Sequence, residues 1–148
     1  MKNLEIISEL EKQPVFNLKK LKEIIGKKDN YTKLVAFRLK KQKLILEIER
    51  NKYTIQKDPL IIASNLSWPS YISCWSALRY HNLTEQLPQN IFIITTRTRK
   101  KRKINFLENK IIFIKISPKY FFGYKKEIYN EFEIFIAEKE KALIDSAL

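Results

Sequence analysis

Apolar positions keep a helical period up to Lys43 and then alternate, so the first part of the chain predicts helices followed by a β-hairpin. Leu4, Ile7 and Leu10 share one helical face, Ile6 lies beside them, and Pro14 closes the segment. Asn17 is placed to cap a second helix striped by Leu18, Leu21, Ile24 and Ile25, and Gly26 suits the left-handed position after its end. Asn30 is the expected cap of a third helix. There Leu34, Val35 and Leu39 are expected to face inward with Tyr31 above them, leaving Thr32, Lys33, Ala36, Phe37 and Lys40 around the other side. Arg38 falls on the apolar side and is expected to snorkel outward. LILEIE and KYTIQ then predict two strands with Arg50 and Asn51 at the turn.

Asp58 and Pro59 break this pattern and suggest two domains, 1–58 and 59–148, with PLIIASN as a short linking helix. Trp68 and Pro69 predict a turn. Ser70 is the expected cap of a helix with Tyr71, Trp75 and Leu78 on one side and Ile72 with Ser76 on another, ending near Asn82. From Ile91 the segments IFIITT, INFL, IIFIKI, YFFGYKKEIY and EFEIFIA alternate like strands of an antiparallel sheet, with a turn expected at Glu108 and Asn109. AEKEKALIDSAL returns to helical spacing. The predicted fold class is α+β: a three-helix and hairpin unit, then a small domain of helices and antiparallel sheet.

Charge adds a partner to this outline. The 148 residues carry 29 Lys+Arg against 16 Asp+Glu, a net of +13. Residues 1–57 hold 15 basic and 7 acidic side chains, a net of +8, and RTRKKRK at 97–103 adds six cations with no acid: Arg97, Arg99, Lys100, Lys101, Arg102 and Lys103. Charge gathered in two places points to polyanion contact. The run lies between two predicted strands, where it can also keep an exposed edge from aggregating. A membrane surface fits less well, because no basic segment has a long amphipathic face rich in Trp, Phe and Leu.

Other classes find little support. The first residues mix acids into a short apolar stretch, unlike a signal peptide, and no apolar run approaches the roughly 20 residues of a spanning helix, so a cytoplasmic protein is expected. The one cysteine, Cys74, is expected to be a small buried group, and the one histidine, His81, to have a helix-end role. Neither a Gly-rich phosphate loop nor a Cys/His cluster is present, and Glu131, Glu133, Glu138, Glu140 and Asp145 are expected to be mostly solvated. No catalytic residue, metal or cofactor is expected.

Helix, helix, basic third helix and hairpin is the order of a winged helix-turn-helix domain, in which one helix enters the major groove and the hairpin lies along neighbouring backbone. The recognition-helix candidates are Thr32, Lys33, Phe37 and Lys40, with Lys41 adding charge; the wing candidates are Arg50, Lys52 and Tyr53. Such a domain can also serve protein contact.

Ser76-Ala77-Leu78, then Leu83-Thr84-Glu85-Gln86 and Pro88, an apolar strand and a basic stretch resemble the C-terminal part of AbiEi-type proteins. Phe121-Phe122-Gly123 and Ala137-x-x-Glu140-Lys141-Ala142-Leu143-x-Asp145 are similar to later landmarks of that family. These are antitoxins and transcriptional repressors of type IV abortive-infection toxin-antitoxin systems. The resemblance implies a repressor that binds double-stranded DNA at its own operon promoter and counteracts a nucleotidyltransferase-like toxin encoded nearby. Many relatives have Gly after the wing arginine where this chain has Asn51, which tolerates positive φ. Relatives also continue past the Glu-Lys-Ala-Leu helix, so a shortened C-terminal domain is expected. The other reading is a nucleic-acid or toxin-binding module without sequence preference, and monomer and dimer both fit.

Overall fold

A computed structural model describes residues 3–81 and 90–147, apart from the side chain of Trp75; Leu83, Thr84, Glu85, Gln86 and Pro88 of the family resemblance lie outside the described residues. The fold is mixed α+β, with six α-helices among the described residues. It divides into two compact units, Met1–Lys57 and Asp58–Leu148. No described helix is long and apolar enough to cross a membrane.

The first unit places α1 (Asn3–Leu10), α2 (Leu18–Ile25) and α3 (Asp29–Lys41) before a hairpin of β1 (Leu46–Glu49) and β2 (Lys52–Thr54). Asn17 caps α2 as its spacing predicts, its Oδ1 accepting from the Lys20 amide at 2.9 Å, and Gly26 ends the helix at φ 73°. Asn30 does not cap α3. Lys28 holds that position without a side-chain bond, and the helix starts one residue before Asn30 with Asp29, whose carboxylate suits the positive helix end and pairs with Lys22 at 2.7 Å. That pairing holds the Asp29 carboxyl below its usual range. Ile6, Leu10, Phe16, Leu21, Val35, Ala36, Leu39 and Ile45 form the core. Phe16, between α1 and α2, exchanges backbone bonds of 2.9 and 2.8 Å with Tyr53 and so lies beside β2 as a third, minimal strand.

The second unit contains α4 (Pro59–Ser64), β3 (Ser70–Ser73), α5 (Cys74–Tyr80), β4 (Asn90–Thr95), β5 (Lys103–Phe106), β6 (Asn109–Lys115), a 3-10 turn (Pro118–Tyr120), β7 (Tyr124–Tyr129), β8 (Phe132–Ala137) and α6 (Lys139–Ser146). Its six strands run in the order β5-β6-β4-β3-β8-β7. The sheet is mixed rather than antiparallel, because β3 pairs β8 and β4 pairs β6 in parallel. Two further expectations change. Ser70 starts a central strand instead of a helix: its hydroxyl bonds the Ser67 carbonyl at 2.6 Å, and all four residues of β3 are buried, as suits a strand covered on both faces. The turn between β5 and β6 is Leu107 and Glu108, one residue early, with Leu107 at φ 53° and Phe106 paired to Asn109. PLIIAS is no mere linker, since Ile61, Ile62 and Ala63 are core residues of this unit. Asp58 caps that helix through the Leu60 amide at 3.0 Å.

Candidate nucleic-acid interface

The α3 helix follows α2 after a three-residue turn, 26–28, and its burial pattern separates two faces cleanly. Thr32, Val35, Ala36 and Leu39 face the core. Asn30, Tyr31, Lys33, Leu34, Phe37, Arg38, Lys40 and Lys41 are exposed. This corrects the expected orientation: Thr32 is 2% exposed and its hydroxyl donates back to the Lys28 carbonyl at 3.1 Å, so it cannot reach a base edge. Ala36, expected on the outer side, is 4% exposed, and Leu34, expected inward, is 43% exposed; Phe37 at 62% and the outward Arg38 lie where the sequence places them.

Of the candidates, Lys33, Phe37 and Lys41 stand on this face, and Lys40 does too while pairing with Glu47 at 3.3 Å. In the hairpin, Arg50 is exposed at the turn, and Asn51 takes φ 59° while its Oδ1 accepts from the Leu18 amide at 3.0 Å. The tip is therefore tied to the start of α2. Lys52 is half-buried and paired with Glu49 at 3.0 Å. Tyr53 has a structural place: its ring stacks on Phe16 with centroids 6.0 Å apart, and burial, reinforced by Glu47, raises its phenol pKa. The cleft lined by Leu18, Lys33, Ala36, Phe37, Lys40, Glu47 and Tyr53 holds about 150 Å³. Small-molecule sites run to roughly 300–1,000 Å³, so this is a surface groove and no substrate pocket. Lys27 and Lys28 add two exposed cations at the turn before α3. Their adjacency in the sequence was the available signal for them.

The second basic cluster connects β4 to the edge strand β5, with β6 between them in the sheet. Arg97, Lys100, Lys101, Arg102 and Lys103 are exposed, Lys103 on edge strand β5. Arg99 departs from the group. Its guanidinium sits 3.9 Å from the Phe113 ring centroid and its Nε donates to the Lys101 carbonyl at 3.2 Å, which clamps the loop onto the sheet. Lys115 joins this surface by donating to Thr98 Oγ1 at 2.7 Å.

In known proteins the chain matches no family model and no curated sequence.

A buried polar cluster in the second unit brings together the later landmark segments. Asp145, expected to be solvated, is buried with Lys141, their charged groups 3.1 Å apart and their side chains 1% and 5% exposed. The Lys141 ammonium lies off the line a hydrogen bond to Oδ1 requires, so that oxygen is matched by charge alone. Oδ2 accepts from the Tyr71 hydroxyl at 3.1 Å and from Ser73 Oγ at 2.5 Å. Tyr71 stacks on Tyr124 and tilts against Phe121, and Lys141 also lies over the Phe122 ring at 4.4 Å. Burial, then the Asp145 charge, pushes the Tyr71 phenol far up. Gly123 at φ +77° permits the close approach, since a Cβ there would lie 2.9 Å from Lys141 Cβ and Cγ. Gly123→Ala is expected to cost about 1–3 kcal/mol of stability through overpacking, read from the urea midpoint.

Cys74 begins α5 at φ 58° and is buried, and burial followed by the Asp145 charge raises its thiol pKa to about 11. A thiol reagent is therefore expected to leave the folded protein almost unlabelled at neutral pH and to modify it promptly in denaturant. Rapid native labelling, followed by absorbance of the released aryl thiolate, would contradict this burial. His81 caps the end of α5 through its backbone amide, while its side chain turns to β8, Nε2 lying 2.9 Å from the Ala137 carbonyl. Among the described residues no group of three or more His, Cys, Asp or Glu could hold a metal ion.

Proposed function

We propose that the first unit is a winged helix-turn-helix DNA-binding domain and that the chain is a transcriptional repressor of the AbiEi antitoxin type, acting on its own promoter beside a nucleotidyltransferase-like toxin. The observation that carries the DNA reading is the α3 face: its exposed residues include Lys33, Arg38, Lys40 and Lys41, and its only acid, Asp29, is at the first position and paired. A helix so charged fits the major groove of duplex DNA. Three further features support it: the short turn before α3, the pairing of Phe16 with β2, and Arg50 exposed at a hairpin tip that Asn51 anchors. The antitoxin part rests on the sequence resemblance, whose Phe121-Phe122-Gly123 and Lys141/Asp145 landmarks pack together.

The exposed cations of 97–103 supply a separate phosphate contact without base reading. Neutralising Arg97, Lys100, Lys101, Arg102 and Lys103 while keeping Arg99 is expected to weaken binding to all duplexes alike and to leave folding unchanged. Footprinting on DNA upstream of the chain's own gene tests the repressor reading. A discrete protected site that survives excess unrelated duplex is expected; equal binding to unrelated DNA with no protected site would overturn it.

A further inference from the structure

We infer that the outward face of α3 reads thymine methyl groups, so that the preferred duplex places A·T pairs opposite Leu34 and Phe37. This rests on the DNA-binding reading and goes further, to the chemistry of the base contacts. Asn30, Leu34, Phe37 and Lys41, spaced four, three and four residues apart, run along the midline of the exposed face, opposite Thr32, Val35, Ala36 and Leu39. Lys33 and Lys40 flank that midline on one side, Tyr31 and Arg38 on the other. A helix in the major groove turns its midline to the base edges and its flanks to the two phosphate walls. Cations on both flanks suit the walls.

The midline decides the bases. Leu34 and Phe37 can satisfy no donor or acceptor on a base edge, so the favourable base contact open to them is with an apolar group. The one apolar group on the major-groove floor is the thymine C5 methyl. Asn30, in the first turn, carries the amide that pairs with adenine N6 and N7. A second copy of the chain is a poorer occupant, because a two-fold contact through this face would set Lys33, Arg38, Lys40 and Lys41 against the same charges. Double-stranded RNA is poorer too, its major groove being too narrow for a helix.

The test compares duplexes differing only in methyl groups: alternating dA–dT against alternating dA–dU, and alternating dG–dC against its 5-methylcytosine form, titrated with the full chain by fluorescence anisotropy. The expected result is about fourfold tighter binding for each methyl contacted, in both comparisons. Leu34→Ser with Phe37→Ser, at positions already exposed, is expected to erase both differences while retaining salt-sensitive binding. Equal affinity within each pair would overturn the methyl reading and leave DNA binding standing. No binding to any duplex would overturn both. Self-association abolished in the double variant, with no methyl preference in the parent, would assign the face to a second copy and overturn the inference.

Discussion

Asp145→Leu is expected to destabilise the second unit by about 3–5 kcal/mol, because it leaves the Lys141 ammonium buried without its counter-charge. The Tyr71 and Ser73 hydroxyls lose their shared acceptor in the same step, a further cost of about 1–3 kcal/mol for each buried donor left unmatched. Lys141→Met alone is expected to be nearly as damaging, since it strands the carboxylate, one of whose oxygens already has no hydrogen bond. The double change Lys141→Met with Asp145→Leu removes both charges at similar volume, and is expected to recover the cost of the stranded charge while leaving that of the two unmatched hydroxyls. Urea unfolding of the four proteins gives the coupling directly. Single variants that cost under about 1 kcal/mol would show that the pair does not hold α6 to the sheet.

Neutralising α3 should have the largest effect on binding. Lys33→Gln, Arg38→Gln and Lys40→Gln together are expected to reduce the slope of log affinity against log salt by up to about 3, near 0.9 for each phosphate no longer neutralised. All three positions are exposed, so stability should change by less than about 0.5 kcal/mol each. Thr32→Val is the internal control: the residue is buried, and its replacement should alter stability by removing the bond to Lys28 while leaving the salt slope unchanged. A slope untouched by the triple variant would exclude α3 from the phosphate-binding surface.

The features legible in the sequence were those set by local chemistry. Asn17 and Gly26 mark the ends of α2 because a side-chain acceptor and a left-handed φ are requirements of the residues themselves. The face of α3 is legible only in part: Val35 and Leu39 are buried and Phe37 points outward as their spacing predicts, but Leu34 is exposed while the core takes the smaller Thr32 and Ala36. Size and hydrophobicity put Leu34 inside and Thr32 and Ala36 outside, and the core that α3 shares with Leu21 and Leu10 settles it the other way. Strand alternation was visible from Ile91 onward, but parallel pairing depends on which strands neighbour each other across long connections, which alternation does not encode. β3 was hidden for a related reason: a strand buried on both faces does not alternate. Lys141 and Asp145, four residues apart on a helix, read as an ordinary surface pair. Their burial comes from Tyr71 and Ser73, some 70 residues away in the chain.

The proposed function requires α3 to be the surface that meets DNA. Backbone amide shifts of the isotopically labelled full chain, followed while a duplex from its own upstream region is added, test this most directly. The largest changes are expected in α3 from Asn30 to Lys41 and at Arg50 to Lys52 of the hairpin, with a smaller set at residues 97–103. Shifts confined to the second unit, or none at DNA concentrations that saturate a gel-shift, would contradict it.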